Sequence, residues 1–122
     1  MKDFRQLKVW EKAHQLTLDV YKATARFPRE ELYGMISQIR RCSASLAANI
    51  AEGCGRKGNA EFHRFLLIAA GSASELDYHF LLARDLSFLS YAEYQKLWRN
   101  LLDVRRMLTS LIRRVGTARL IG

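Results

Sequence analysis

Three arginines in the last quarter of the chain, Arg99, Arg106 and Arg113, recur at intervals of seven residues. On an α-helix this spacing places them in line, roughly 10 Å apart along the axis. A row of guanidinium groups can neutralise successive phosphates of a nucleic acid. The same row on an ordinary surface helix is simply solvated. The spacing alone leaves both interpretations open.

A second candidate for phosphate contact is the GCGRKGN segment, residues 53–59, in which Arg56 and Lys57 come just before a predicted helix. The free N–H groups and the dipole of a helix N-terminus favour a bound anion. The three glycines also spell G-x-G-x-x-G, but a helix precedes them, whereas a dinucleotide-binding unit requires a strand there. The simpler interpretation is a glycine C-cap and a tight turn, with Asn59 as the N-cap of the next helix.

Arg40 and Arg41 stand side by side in the run SQIRR, near the beginning of another predicted helix. Both are candidates for phosphate contact, although a neighbouring helix can sequester either of them. Twenty basic and twelve acidic residues give the chain a formal charge of +8 and a pI near 9.9. The excess lies in residues 32–58 and 90–122. A strongly basic chain favours polyanions such as nucleic acid as partners.

Other reactive side chains do not assemble into a catalytic or metal site. Glu11 and His14 form a Glu-x-x-His unit of the kind found in di-iron bundles, but such sites need a second unit and further inward glutamates. Glu75 and His79 are one helical turn apart, a spacing typical of a surface or interhelical hydrogen bond. We therefore predict a non-enzymatic protein without catalytic residues, metal or cofactor.

Cys42 and Cys54 lie on one predicted helix, about 18 Å apart along its axis. This distance is far beyond the reach of a disulfide, so both are expected to be reduced and to face a core. The N-terminus is charged, and the longest uncharged runs are about half of the roughly 20 residues that a membrane span needs. These features predict a cytoplasmic protein without a membrane segment.

Four helices must position these residues. The first is expected to begin near Leu7 and to be closed by Pro28. A capping box, the SYAE run, marks the start of the fourth helix. Gly116 is expected to stop that helix, leaving residues 117–122 as a loose tail. The second, third and fourth helices are predicted at residues 32–54, 60–86 and 91–115.

Short connections make neighbouring helices antiparallel, so the sequence predicts an all-α, antiparallel four-helix bundle with a single domain, residues 1–122. Each helix has a stripe of residues suited to a core. The stripe of the first helix is predicted as Trp10, Ala13, His14, Thr17, Val20, Tyr21 and Thr24. The other stripes are Met35, Ile39, Cys42, Leu46 and Ile50; Phe62, Phe65, Leu66, Ala69, Ser72, Ala73, Leu76, Phe80 and Ala83; and Tyr94, Leu97, Trp98, Leu101, Val104, Leu108, Leu111, Ile112 and Val115.

Two of the helices carry more apolar or small-residue surface than one bundle can bury. The second helix has a row of alanines beside its stripe, and the third has a second apolar set. These residues are Ala44, Ala47, Ala48 and Ala51, and Leu67, Ile68, Leu81, Leu82 and Leu86. A helix that is apolar on more than one side must be buried on more than one side. We therefore predict a closed homo-oligomer, although the alanine row can instead face a helix of its own chain.

Motifs along nearly the whole chain carry a family resemblance. They are FRxLxVW at residues 4–10, SQIRR at 37–41, NIAEG at 49–53 followed by GR, and GSxxEL at 71–76. The chain resembles the small bacterial four helix bundle proteins, also labelled 23S rRNA-intervening-sequence proteins and related in fold to accessory proteins of diversity-generating retroelements. The resemblance implies a four-helix protomer assembled into a ring, commonly a pentamer, and no settled activity. Ala47 stands where members often carry a proline, so no kink is expected there.

Two functions remain consistent with these observations. The first is a basic oligomer that binds RNA or DNA through its phosphates without strong sequence specificity, as an accessory to a nucleic-acid enzyme. The second is an oligomeric scaffold for proteins, whose positive charge serves solubility or an acidic partner. The sequence has no compact helix-turn-helix pattern and no aromatic-basic motif, so base reading is not expected. The predicted nucleic-acid contacts are Arg40, Arg41, Arg56, Lys57, Arg99, Arg106 and Arg113.

Overall fold

A computed structural model describes the backbone of residues 3–121 and the side chains of residues 3–118. A short 3-10 turn, Phe4–Gln6, precedes the first helix, and no β-strand occurs within the described range. The predicted all-α class is thereby confirmed. The four helices are α1, Lys8–Thr24; α2, Ser37–Gly55; α3, Asn59–Asp85; and α4, Tyr91–Ile121.

Each helix packs against its neighbours in the chain, and α1 packs against α4, so the four helices form a bundle. The contacts between α3 and α4 show their relative direction. Asp77 of α3 accepts a hydrogen bond from Arg105 of α4 at 2.8 Å. His63, earlier on α3, lies beside Gly116, later on α4. Residue order therefore runs in opposite directions on the two helices, as the short connection between them predicts.

One continuous hydrophobic core fills the space between the helices. Most residues of the stripes predicted for α2, α3 and α4 are buried, and Ile39, Leu66 and Leu101 are each no more than 1% exposed. Tyr94 and Ile112 are half-buried and pack against the core, whereas Ser72 and Trp98 are half-buried and do not belong to it. Cys42 and Cys54 are both reduced and buried, as predicted. Removal of this apolar surface from water is the main force that holds the bundle together.

The face that α1 turns to the core differs from the predicted one. His14 and Tyr21 are exposed, whereas Leu16 is completely buried. Aliphatic side chains recur on the adjacent side of this helix, and burying them removes apolar surface without desolvating polar atoms. Trp10 stays half-buried at the edge and stacks on His14, with ring centroids 5.0 Å apart. The buried residues of α1 are Val9, Ala13, Leu16, Val20, Ala23 and Thr24.

The segment before α2 is irregular, so this helix begins at Ser37 rather than at Leu32. A 3-10 turn, Arg29–Glu31, is followed by a widened turn, Leu32–Ile36. At Gly34 the backbone angles are φ −107° and ψ −109°, which lie outside the helical region. The apolar periodicity continues through this break, which is why it predicts an uninterrupted helix.

A tight turn joins α2 to α3 and brings the two helices close together. A Cβ atom at Gly53 would lie 2.9 Å from the ring of Phe62 and 3.0 Å from the Cβ of Phe65. Gly58 has φ +82°, which glycine tolerates well, and occupies the N-cap position of α3. Asn59 is therefore the first residue of the helix, and the prediction that it forms the N-cap is wrong.

The capping box at the start of α4 is confirmed. The N–H of Glu93 donates to Ser90 Oγ at 3.1 Å, and the N–H of Ser90 donates to the Glu93 carboxylate at 3.0 Å. The bond from the Ser90 N–H, together with the guanidinium of Arg26, lowers the pKa of Glu93. The charged carboxylate therefore caps α4 and also pairs with Arg26, which follows the end of α1.

The other end of α4 differs from the prediction. The helix continues through Gly116 to Ile121, so residues 117–121 are helical and not a loose tail, while Gly122 lies outside the described residues. A glycine inside a helix costs up to about 1 kcal/mol relative to alanine. Here the missing side chain serves packing, because a Cβ atom at Gly116 would lie 3.2 Å from His63 Nε2.

Four residues of the second apolar set of α3 lie outside the core, as predicted, whereas Leu82 packs against the core. Leu67 and Leu86 are each 50% exposed, Ile68 is 41% exposed and Leu81 is 36% exposed. Leu82 is half-buried. The bundle therefore presents apolar surface along α3.

Candidate nucleic-acid interface

Arg99, Arg106 and Arg113 lie on the outer face of α4, and all three are exposed. Packing of the core stripe fixes this orientation, since Leu101 and Leu108 anchor the opposite face of the helix. Arg99 donates a 3.5 Å hydrogen bond to the side chain of Gln95. No carboxylate of the described chain lies within ion-pair distance of these three guanidinium groups. Their charges are therefore available to a ligand.

Arginines elsewhere in the bundle are mostly neutralised by carboxylates. An ion pair at the surface is worth little in stability, but it weakens the attraction of that cation for a phosphate. The outer face of α4 thus concentrates the unpaired arginines. The pairs are Arg5–Asp3, Arg26–Glu93, Arg56–Glu52, Arg64–Glu61, Arg84–Asp85 and Arg105–Asp77.

Positive charge is also uneven along the bundle axis. We define the foot of the bundle as the end formed by the start of α1, the end of α2, the start of α3 and the last turns of α4. It comprises residues 3–15, 46–70 and 106–118. The foot holds nine basic and four acidic side chains, against nine and eight in the rest of the described chain. Most of the positive excess of the described residues therefore lies at the foot.

Arg56 and Lys57 occupy the turn between α2 and α3, at the foot. Arg56 donates to Glu52 at 2.9 Å, and its guanidinium lies 5.0 Å from the ring centroid of Phe65. Lys57 is exposed and has no ion pair within the described residues. Lys57 is therefore the more available of the two cations.

Arg40 is engaged in contacts within its own chain. Its Nε donates to Thr24 Oγ1 at 2.8 Å, its Nη2 donates to the carbonyl oxygen of Tyr21 at 3.2 Å, and its guanidinium stacks over the ring of Tyr21. These contacts join α2 to α1. Arg40 thus serves the packing of two helices, which leaves little of its hydrogen-bonding capacity for a ligand.

Arg41 is exposed and donates to Ser37 Oγ at 3.2 Å. It lies along the groove between α2 and α3, in the half of the bundle away from the foot. The structure therefore separates the predicted contacts. Those at the foot are Arg56, Lys57, Arg106 and Arg113. Arg99 lies nearer the start of α4, away from the foot, and Arg40 and Arg41 lie on α2.

A cleft at the foot contains two cations that were not among the predicted contacts. Lys8 and Arg114 line a cleft between the start of α1 and the last turns of α4, together with Arg106. Arg114 follows Arg106 by eight residues, close to two helical turns, so helical spacing could have indicated it. No sequence signal places Lys8 there, because its position depends on how α1 and α4 align.

The groove between α2 and α3 contains the polar groups that most resemble a reactive site. Cys42 Sγ donates to Glu75 Oε2 at 3.0 Å and to the carbonyl oxygen of Ser72 at 3.1 Å. Burial, and to a lesser degree Glu75, raises the pKa of Cys42 to about 12. The sulfur therefore stays a thiol at neutral pH and is a poor nucleophile.

The histidine pairs noted in the sequence do not form a metal site. Glu75 bonds to Cys42 rather than to His79, whose Nδ1 is buried without a hydrogen-bond partner among the described residues. Glu11 and His14 line a shallow cleft with Asp103. No group of three or more histidine, cysteine or acidic side chains in the described chain could hold a metal ion.

Comparisons with protein families and with solved structures show what this chain is similar to. The model of one family, described as 23S rRNA-intervening sequence protein, matches residues 5–110. A crystal structure of a protein of unknown function from the S23 ribosomal protein family of Bacteroides thetaiotaomicron superposes with a TM-score of 0.77. That protein is 24% identical, and the alignment covers 85% of this chain and 97% of the other. No curated protein matches. Within the described residues, no helix is apolar over a length that could cross a bilayer.

Proposed function

We propose that this chain, which belongs to the 23S rRNA-intervening sequence protein family, is a non-enzymatic protein that binds RNA or DNA through its phosphates. The observation that carries the proposal is the unpaired positive charge on the outer face of α4 and at the foot. Contacts to phosphates hold a nucleic acid without reading its bases, so we expect little sequence preference. The proposed contacts are Arg56, Lys57, Arg99, Arg106 and Arg113.

The assay that tests this proposal is a salt titration. Binding of labelled RNA and DNA of mixed sequence is measured by fluorescence anisotropy at increasing salt. Each phosphate neutralised contributes about −0.7 to −0.9 to the slope of log affinity against log salt, so the five proposed contacts should make affinity fall by about one hundredfold to five hundredfold between about 50 and 200 mM. Absence of binding to either nucleic acid at the lowest salt would contradict the proposal.

The exposed apolar surface of α3 supports a further part of the proposal, a closed homo-oligomer. Surfaces of this kind mark contacts with other proteins when they are contiguous. The ring shape and the number five rest on the family resemblance. Light scattering coupled to gel filtration should give a mass several times the 14.1 kDa of one subunit.

Ala48→Arg is expected to shift this oligomer towards smaller species. Ala48 is exposed in the alanine row of α2, where a long charged side chain would prevent close approach of another helix. Ala92→Arg is the matched control, since Ala92 is also exposed but lies at the start of α4, in line with its arginine row and not on α2 or α3. Equal masses for the two variants would exclude the alanine row as an interface.

The alternative function is a protein scaffold, favoured by the same apolar surface. In that case the basic face of α4 would serve solubility or an acidic protein partner. Action as an accessory to a nucleic-acid enzyme would combine both surfaces in one protein. The two reduced cysteines support a reducing compartment such as the cytoplasm.

A further inference from the structure

The foot of the bundle contains a cleft with a cationic rim and an apolar floor. It lies between the start of α1 and the last turns of α4, and its volume is about 370 Å³. Such a volume is within the range of pockets that hold small ligands. Lys8, Arg106 and Arg114 form the rim with the hydroxyl of Ser110, and Val9 and Leu111 form the floor.

The three cations of this cleft are not neutralised. Lys8, Arg106 and Arg114 are exposed, and no ion pair to any of them occurs among residues 3–118. Two acidic groups of the same helix pair, Glu11 and Asp103, line the adjoining cleft together with Lys12. The charged side chains that line the cleft are therefore all basic, whereas those of the adjoining cleft include two carboxylates.

The helix termini at the foot also affect the electrostatic potential of the cleft. The first residues of α1 line the cleft, and Leu7 at the N-cap makes no side-chain capping bond, so the positive end of the helix dipole lies beside the cations. Because α4 continues to Ile121, its negative end lies about 10 Å beyond Arg114, and this effect falls off within one turn. Neither terminus opposes an anion in the cleft.

We propose that this cleft binds one phosphate of a single-stranded RNA or DNA, with the adjoining sugar against the apolar floor. Lys8, Arg106 and Arg114 neutralise the phosphate, and the Ser110 hydroxyl donates to it. A duplex holds its sugars within a stiff, convex backbone and cannot place one on a recessed floor, whereas a single strand can. The inference rests on the proposed nucleic-acid function and assigns it a specific subsite and form of ligand.

The test compares two double variants with equal loss of charge. Lys8→Gln with Arg114→Gln removes two rim cations, and neither residue belongs to the contacts of the proposed function. Lys22→Gln with Lys96→Gln is the control, because both lysines line a cleft at the opposite end of the same groove, which also contains Asp19 and Glu93. All four substituted side chains are exposed, so both variants should melt at the temperature of the parent, as circular dichroism can verify.

Affinity for a labelled single strand is then measured as a function of salt. The rim variant should lose at least about tenfold at low salt, since each lost charge-assisted hydrogen bond contributes several-fold. Its salt slope should become shallower by about 0.7, the value for one phosphate of a single strand. The control should lose less than about threefold with an unchanged slope. The rim variant should lose less affinity for a duplex of the same length than it loses for the single strand.

Four results would overturn the inference. Equal losses in the two double variants, or parental binding by the rim variant, would show that the cleft is no subsite, while nucleic-acid binding through the α4 face would stand. Equal losses on single strand and duplex would overturn the assignment to single strands. A parent protein that binds neither RNA nor DNA at low salt would remove both this inference and the proposed function.

Discussion

Replacing Leu101 with aspartate is expected to unfold the subunit. Leu101 is 1% exposed in the middle of α4, within the core shared by all four helices. The substitution leaves a cavity and places an unpaired carboxylate in an apolar site, for a combined cost of about 5 kcal/mol or more. Since domains of this size are stable by about 5–15 kcal/mol, most of the stability should be lost. Urea denaturation followed by circular dichroism measures the effect.

Thr109→Asp is the matched control for Leu101→Asp. Thr109 is exposed on the same helix, so it accepts the same charge without desolvation. The free energy of unfolding of this control should stay within about 0.5 kcal/mol of the parent's value. A Leu101→Asp protein with the parental midpoint would mean that α4 does not pack on the core through this face.

The second large effect is expected from reversing the arginine row of α4. The triple variant Arg99→Glu, Arg106→Glu and Arg113→Glu should abolish nucleic-acid binding without unfolding the protein, because all three side chains are exposed. Loss of three phosphate contacts should reduce the salt slope by about 2 to 3 and low-salt affinity by about a thousandfold or more. Anisotropy measurements at several salt concentrations determine both quantities.

The control for this variant reverses the same amount of charge on another face. Lys22→Glu, Arg29→Glu and Lys96→Glu alter three exposed cations outside both the foot and the arginine row, none of them in an ion pair within the region described. This control should weaken binding far less than the α4 variant. If both variants lose affinity equally, net charge alone governs binding and the row on α4 is only a solvated face.

The core faces of α2, α3 and α4 could be predicted from the sequence because their apolar side chains recur at one helical spacing. The same logic failed on α1, where aromatic and aliphatic residues form two overlapping stripes and burial selects the aliphatic one around Leu16. The prediction that α4 ends at Gly116 is wrong for another reason. Glycine can end a helix or permit close packing, and the neighbour that decides, His63, is on a different helix. α2 runs without interruption through Ala47, as the missing proline predicts.

The candidate interface was predictable only in part. Spacing along α4 placed Arg99, Arg106 and Arg113 on one face, since a single helix determines that geometry. Whether a cation is available to a ligand depends on contacts between helices, as the bonds from Arg40 to α1 demonstrate. The approach of Lys8 to the last turns of α4 likewise follows from tertiary structure, which no local pattern encodes.

The excess of cations at the foot also gives each subunit an electric dipole moment along the bundle axis. In any cyclic assembly, the components of these moments perpendicular to the symmetry axis cancel, and the parallel components add. Bundles that stand along that axis would thus create one strongly positive side and one nearly neutral side. Such a field attracts a polyanion over roughly 8 Å at physiological ionic strength and accelerates its arrival. The same charges that hold a nucleic acid would then also determine the side from which it approaches.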